Sequence, residues 1–378
     1  MNFELTTEQN SAILRGREFA EQEIAPIAVS LDREGKFNQD LFDKIARAGF
    51  FRVSVPKAYE GEGNGLFVRS LITAEFAKQC VSTAAMYTVA MGGLCVIKYY
   101  ASEEQKQKYI PPMVRGESLG TFAFTEEGAG SDPGSMKTSA VKDGENFIIN
   151  GKKAFITNGA NANMHVLFAL TSPENGTKGM SAFIVPKDET VVAGKIYDKI
   201  GMRSCQLAEV NFNKCVVPKE NLIANENEGY KYAIHAINEG KVNVAFIALG
   251  LAERALAESI AYMKTRYQFG KAISANQGLQ FEIADMVTEV EAAKLLSYKA
   301  AIAGDNKDPN FSNICSIAKY YATEMALRVT TKALHIHGAN GLTTDYVVER
   351  LYRDQQGLRI YDGTSEIQKI IIAKNAMK

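Results

Sequence analysis

The chain has no tryptophan, only four histidines and five cysteines among 378 residues, and no excess of charge of either sign. Each shortage excludes something. Cys80, Cys95, Cys205, Cys215 and Cys315 are scattered, odd in number and form no CxxC pair. That argues against a disulfide framework or a zinc site and predicts reduced thiols in a cytoplasmic protein. His165, His235, His335 and His337 have no acid or cysteine at ligand spacing, and the last two fall on different faces of a helix. No metal centre is expected. Lys+Arg and Asp+Glu both number 43, so the charge balance favours neither nucleic acid nor an anionic membrane surface. No run reads as the ~20 apolar residues of a membrane span. The start, MNFELTTEQNSAIL, lacks the basic and apolar regions of a secretory signal. What the chain does have is length and 46% hydrophobic residues, enough for a large core and more than one domain.

Periodicity divides the chain in three. Residues 1–117 read as an α-helical domain. TTEQNSAILRGREFAEQEIAPIA opens on Thr6 or Thr7 as a cap and is expected to end at Pro26. SEEQKQKYIPPMV is capped by Ser102 and expected to stop at Pro111-Pro112. Residues 118–225 change to short β-branched and aromatic runs separated by Gly, Asn and Pro, such as LGTFAF, ENFIING and MSAFIVP. They predict a compact antiparallel, barrel-like β-domain, with Asn150-Gly151 as a hairpin turn. Residues 226–378 return to long helical patterns of bundle length. The fold class is therefore mostly α with a central β-domain.

Four stretches have residues suited to chemistry. FTEEGAGSDPGS (124–135) joins a strand to a glycine-rich loop whose backbone suits phosphate or carbonyl oxygens, with Thr125 and Ser131 supplying hydroxyls. It is neither a P-loop nor GxGxxG, and a flexible turn is an equally good reading. KKAFITNGA puts Phe155 and Thr157 two apart on a strand, either flanking a planar cofactor or simply burying one aromatic. TRYQFGKAI ends a helix at Arg266, which suits the helix dipole or a phosphate. IYDGTSEIQ (360–368) runs a turn into the last helix. Asp362, Thr364 or Ser365 caps that helix, and a cap is compatible with a carboxylate pointing into a cavity.

Taken in order, LTTEQ, ASEEQKQKYIPPMVRGE, FTEEGAGSD, INGKKAFITNGA, VPKENLI, TRYQFGKAI, IHGANGL and YRDQQGLRIYDGTSEIQ resemble the acyl-CoA dehydrogenase family of flavoproteins over the whole chain. The resemblance implies a C-terminal four-helix bundle, a homotetramer and non-covalent FAD. By motif, Phe122, Phe124, Thr125 and Ser131 would lie along flavin and thioester, and Phe155 and Thr157 would stack on and hydrogen-bond the isoalloxazine. Arg266, Phe269, Gln277, His335 and Gly338 would reach the FAD of a neighbouring subunit, and Thr364 and Glu366 the diphosphate and adenosine end. Family members often carry Gln where His335 stands. Lys241 stands where an arginine often meets the CoA pyrophosphate; lysine keeps the charge but loses the fork. The implied chemistry is α,β-dehydrogenation of an acyl thioester. A carboxylate takes the α-proton, and a hydride leaves the β-carbon for flavin. The carbonyl is polarised by a ribityl hydroxyl and the backbone N–H beside the base, here that of Asp362. Electrons would then pass to an electron-transferring flavoprotein.

One departure matters. Most relatives place Glu where this chain has Asp362, so the base is one methylene shorter, roughly 1–1.5 Å. A misplacement on that scale can cost about 10²-fold in rate. Three readings remain. Asp362 is the base and the pocket or substrate has shifted to meet it. Glu239, on the long helix where some branches carry the base, has taken over. Or the site is a degenerate FAD-binding scaffold. The aspartate also resembles that of nitroalkane oxidases, although GTSEIQ and FTEEGAGSD look far more like dehydrogenases. A short or unusual acyl-CoA is the expected substrate, with an acyl or aminoacyl group tethered to a carrier protein as the alternative.

Overall fold

The computed structural model describes residues 4–378. Thr6 opens α1 (Thr7–Phe19) with a capping box completed by Gln9. The helical path does not stop at Pro26. It passes through a π turn, Ala20–Ile24, and a 3-10 turn, Ala25–Ile27, into α2 (Ala28–Glu34). Pro26 lies in the first positions of a new turn, where its missing N–H breaks no bond. Asn38 caps α3 (Gln39–Arg47). Two apolar helices follow, α4 (Gly65–Gln79) and α5 (Val81–Tyr100), then α6 (Glu103–Val114). Ser102 and Gln105 make the capping box of α6, but both prolines lie inside its last turn, so the chain leaves the helix only at Arg115. Among the described helices, α5 is long and apolar enough to cross a membrane by length and composition. Here it is a core helix, packed on α4 and, below, on the long helix of the C-terminal block.

The middle block is a seven-stranded sheet in the order β1-β4-β2-β3-β7-β6, with β5 on the other edge of β4. Its strands are β1 (Gly120–Ala123), β2 (Ser139–Asp143), β3 (Asn146–Thr157), β4 (Met164–Leu170), β5 (Met180–Pro186), β6 (Val191–Ile196) and β7 (Leu207–Pro218). Most pairs are antiparallel, but β1 and β2 both run parallel to β4, so the sheet is mixed. Asn150-Gly151 is not a hairpin turn. It is a bulge inside β3, where the register against β7 shifts. The glycine is needed because a Cβ there would fall within 3 Å of the Thr138 side chain. The β2–β3 turn lies at Gly144-Glu145 instead.

The C-terminal block begins with α7 (Gly229–Thr265), which at about 1.5 Å per residue is roughly 55 Å long. A small hairpin, β8 (Tyr267–Gln268) and β9 (Lys271–Ala272), leads to α8 (Gln277–Asp305) and α9 (Phe311–His337). These three helices pack along one another, and the short α10 (Val348–Leu358) and α11 (Ser365–Ala376) lie against α9. α4 packs on α7 across the block boundary. One continuous hydrophobic core therefore joins the two helical blocks, while a second fills the sheet.

Candidate active site

Asp362 sits in the turn between α10 and α11 with φ 54°, followed by Gly363 at φ 90°. Left-handed backbone at a non-glycine residue is uncommon, and aspartate tolerates it better than most. Three anchors hold the turn. Lys319 on α9 donates to the Gly363 carbonyl at 2.6 Å. The Gln368 amide donates to the Asp362 and Gly363 carbonyls at 3.1 and 2.9 Å. Thr364 caps α11 by accepting from the Ile367 N–H, so it is the cap among the three candidates. The backbone is thus fixed by its carbonyls. The Asp362 N–H donates to no group among the described residues and remains available to an incoming oxygen.

The Asp362 carboxylate lies against α7 at Gly240, where an ideal Cβ would stand 2.5 Å from Oδ2. Among the described residues it accepts no hydrogen bond. Burial raises its pKa to about 6, against the attraction of the Lys319 and Lys241 ammoniums. Burial likewise draws Lys319 down to about 8, with Asp362 opposing. Both members of this acid–base pair are therefore drawn toward their neutral forms. Lys241 is not turned toward solvent. It is 4% exposed and donates to Asn238 Oδ1 at 2.9 Å and Ser316 Oγ at 3.2 Å. Its charge acts on the interior beside Asp362.

Glu239 is one residue from Gly240 on α7, but the helical step turns it to another face. It is 4% exposed and accepts from Arg69 Nη2 on α4 at 3.0 Å, with Lys98 Nζ of α5 at 3.9 Å. Burial alone would raise its pKa, yet Lys98 and Arg69 outweigh that and hold it down at about 2. A carboxylate so tightly paired is a poor proton acceptor near neutral pH. Glu239 is thus held by Arg69 and Lys98, whereas Asp362 has no such partner at hydrogen-bond distance among the described residues.

In the sheet, Phe122 and Phe124 stack at 5.8 Å, and both pack on Phe168. The loop that follows hangs on a buried ion pair. Lys153 Nζ donates to Glu126 Oε1 at 2.9 Å and to the Phe124 carbonyl at 3.0 Å. Glu126 also accepts from the Lys137 and Thr138 N–H groups. Thr125 is half-buried beside this pair, whereas Ser131 is exposed farther along the loop. Gly128 and Gly130 have nothing within 4 Å of an added Cβ, so the loop is open on that side.

Phe155 and Thr157 do not follow simple strand alternation. Phe155 has φ 57° at a second bulge in β3, is 48% exposed and stacks on Tyr197 at 4.4 Å. A large aromatic held outward in left-handed backbone, beside an open glycine-rich loop with hydroxyls, fits the flat face and polar edge of a flavin.

Apart from Glu366, the other expected FAD contacts lie far from this turn within one chain. Arg266 follows the C-terminus of α7, 26 residues and so roughly 40 Å along the axis from Gly240. Phe269, on the hairpin tip with φ 51°, is 96% exposed, and Gln277 begins α8 on the surface. His335 and Gly338 are exposed at the far end of α9 from Lys319, and Glu366 is exposed in the first turn of α11. Sequence reading missed Gly240, Lys319, Arg69 and the Lys153–Glu126 pair. A signal existed for two of them: Arg69 and Lys319 each interrupt an otherwise apolar or small-residue helical run.

Family models for the acyl-CoA dehydrogenase N-terminal, middle and C-terminal domains match residues 6–117, 121–215 and 227–377. The chain is 40% identical to a short-chain specific acyl-CoA dehydrogenase of Clostridium acetobutylicum, covering 99% of each chain. It is 39% identical to the CarC subunit of the caffeyl-CoA reductase–Etf complex of Acetobacterium woodii, covering 98% of this chain and 99% of that one. The solved structure of butyryl-CoA dehydrogenase from Megasphaera elsdenii superposes with TM-score 0.98 at 34% identity, covering both chains fully. Family models, relatives and fold agree: the chain belongs to the acyl-CoA dehydrogenase family, and is with it an FAD-dependent oxidoreductase.

Proposed function

We propose that the protein catalyses α,β-dehydrogenation of a short or unusual acyl-CoA, or the reverse reduction, with Asp362 as the base. The observation that carries this reading is the contrast between the two candidate carboxylates. Asp362 accepts no hydrogen bond among the described residues and has its pKa raised to about 6, whereas Glu239 is locked against Arg69. A base near pH 6 is ionised at neutral pH yet basic enough to take a proton from carbon. The thioester would lie with its carbonyl oxygen toward the Asp362 N–H, whose negative-charge stabilisation acidifies the α-carbon. The Asp362 carboxylate then removes the α-proton, or returns it in the reductive direction. Phe122, Phe124, Thr125, Ser131, Phe155, Thr157, Thr364 and Glu366 would hold the flavin and its diphosphate tail. Bound FAD supplies the acceptor for the β-hydride.

The acyl preference is read from relatives named for short-chain acyl-CoA, butyryl-CoA and caffeyl-CoA. The CarC relative, named with its Etf partner, supports an electron-transferring flavoprotein as redox partner. A homotetramer is supported by exposed apolar side chains at Phe269, Phe281, Leu342 and Ile370, and by the distance of Arg266 and His335 from this chain's own site. Five buried free cysteines suit a reducing cytoplasm. The test is anaerobic titration of the FAD-loaded protein with butyryl-, octanoyl- and isovaleryl-CoA and with an aminoacyl carrier protein, watching the visible flavin band. Bleaching by a CoA ester is expected. Bleaching by the carrier-bound substrate alone would move the substrate class, and no bleaching with any of them would contradict dehydrogenation.

A further inference from the structure

We infer that Gly240 is a positioning residue for the base: its missing side chain is the seat in which the shortened carboxylate of Asp362 rests. The inference rests on the reading of Asp362 as the base and names what in this chain accommodates a base one methylene short.

Gly240 lies inside a 37-residue helix, where glycine is a poor choice and alanine a better helix former. Some glycines of α7 are explained by backbone contact. A Cβ on Gly250 would run into the main chain of α4 at Ala74. Gly240 is different. Its three nearest heavy atoms all belong to the Asp362 carboxylate, at 2.5, 3.0 and 3.3 Å from an ideal Cβ. No packing of helix on helix demands a glycine there, only the acid does. Its φ falls outside the left-handed range, so no backbone strain demands it either. The turn that carries Asp362 cannot retreat to make room, because Lys319 and Gln368 hold its carbonyls from α9 and α11. An added methyl at 240 would therefore displace the carboxylate itself. Asparagine lacks the charge but keeps the shape, so the effect of filling the seat must pass through the carboxylate and disappear without it.

The test compares FAD-loaded wild type, Gly240→Ala, Asp362→Asn, the double variant and Asp362→Glu in single-turnover reduction by butyryl-CoA, with thermal denaturation alongside. Gly240→Ala should lower the limiting rate about ten- to a hundredfold. The half-saturating butyryl-CoA concentration and the FAD content should stay unchanged, and the melting temperature unchanged or higher. In the Asp362→Asn background the same substitution should have no further effect. Asp362→Glu, whose extra methylene meets α7 in the same seat, should also be slower than wild type. A wild-type rate in Gly240→Ala or in Asp362→Glu would overturn the inference. So would an equal loss in both backgrounds, which would mark a structural role. Retained reduction in Asp362→Asn alone would instead overturn the reading of the base.

Discussion

Lys319 Nζ donates to the carbonyl of Gly363 at 2.6 Å, and through that bond a buried ammonium on α9 both fixes the turn of Asp362 and pulls on its charge. Replacing it with methionine keeps the bulk and removes both effects. Without the cation the Asp362 pKa should rise, so the rising limb of the rate profile should move to higher pH. Flavin reduction at pH 7 should fall about two- to tenfold and recover partly at higher pH. A pH series of single-turnover rates for Lys319→Met checks this.

The wild-type profile follows from the same pair. The limiting rate of α-proton removal should climb through about pH 6 as Asp362 ionises. The stability sign runs the other way. A folded-state pKa raised above its ordinary 3.8 favours folding fully below that value, and the contribution is lost as pH rises through about 6. Asp362→Asn should therefore be at least as stable as wild type at pH 8, while being far less active. Thermal denaturation at pH 5 and pH 8 measures the difference.

Glu239 should behave as a structural acid. Glu239→Gln leaves Arg69 with a buried uncompensated charge and should cost about 3 kcal/mol or more of stability. The folded, FAD-loaded fraction should still reduce its flavin at a rate close to wild type. Because the folded pKa is depressed to about 2, the pair stabilises fully above the ordinary glutamate value and is lost as pH falls through about 2. Urea titration at pH 7, combined with rapid-mixing kinetics, separates stability from activity.

The loop proposed to meet the flavin should depend on Lys153. Its ammonium is fully buried between Glu126 and the Phe124 carbonyl, so Lys153→Met leaves a buried carboxylate and a free carbonyl. The expected result is a protein that purifies with less FAD, read from the ratio of flavin to protein absorbance. Glu126→Gln, which keeps an acceptor for the two N–H groups, should lose less.

Phe269 should matter for assembly rather than for the fold of one chain. It is 96% exposed at a hairpin tip with no partner ring among the described residues. Phe269→Ser should leave the melting of the monomer fold nearly unchanged, while lowering FAD retention and shifting the light-scattering mass below that of a tetramer.

The order of helices, sheet and helices was legible because hydrophobic period and strand composition change sharply near residues 118 and 226. The turn that carries Asp362 into the last helix was legible because it is local and its motif contiguous. What the sequence did not give up is what depends on distance along the chain. The charge that neutralises Glu239 comes from Arg69, 170 residues earlier. The reason for Gly240 is an acid 122 residues later (362 − 240). Local signals also misled where tertiary packing overrode them. Asn150-Gly151 has turn chemistry but is used as a bulge against Thr138, and Pro111-Pro112 lies inside the last turn of α6, which keeps its helical path although two N–H donors are missing there.

Which carboxylate takes the α-proton is decided most directly by flavin reduction in the two acid variants. FAD-loaded wild type, Asp362→Asn and Glu239→Gln are mixed anaerobically with butyryl-CoA, and the loss of visible flavin absorbance is followed. Asp362→Asn should slow reduction about 10²- to 10⁴-fold while folded Glu239→Gln stays near wild type. Fast bleaching in Asp362→Asn, with loss only in Glu239→Gln, would contradict Asp362 as the base.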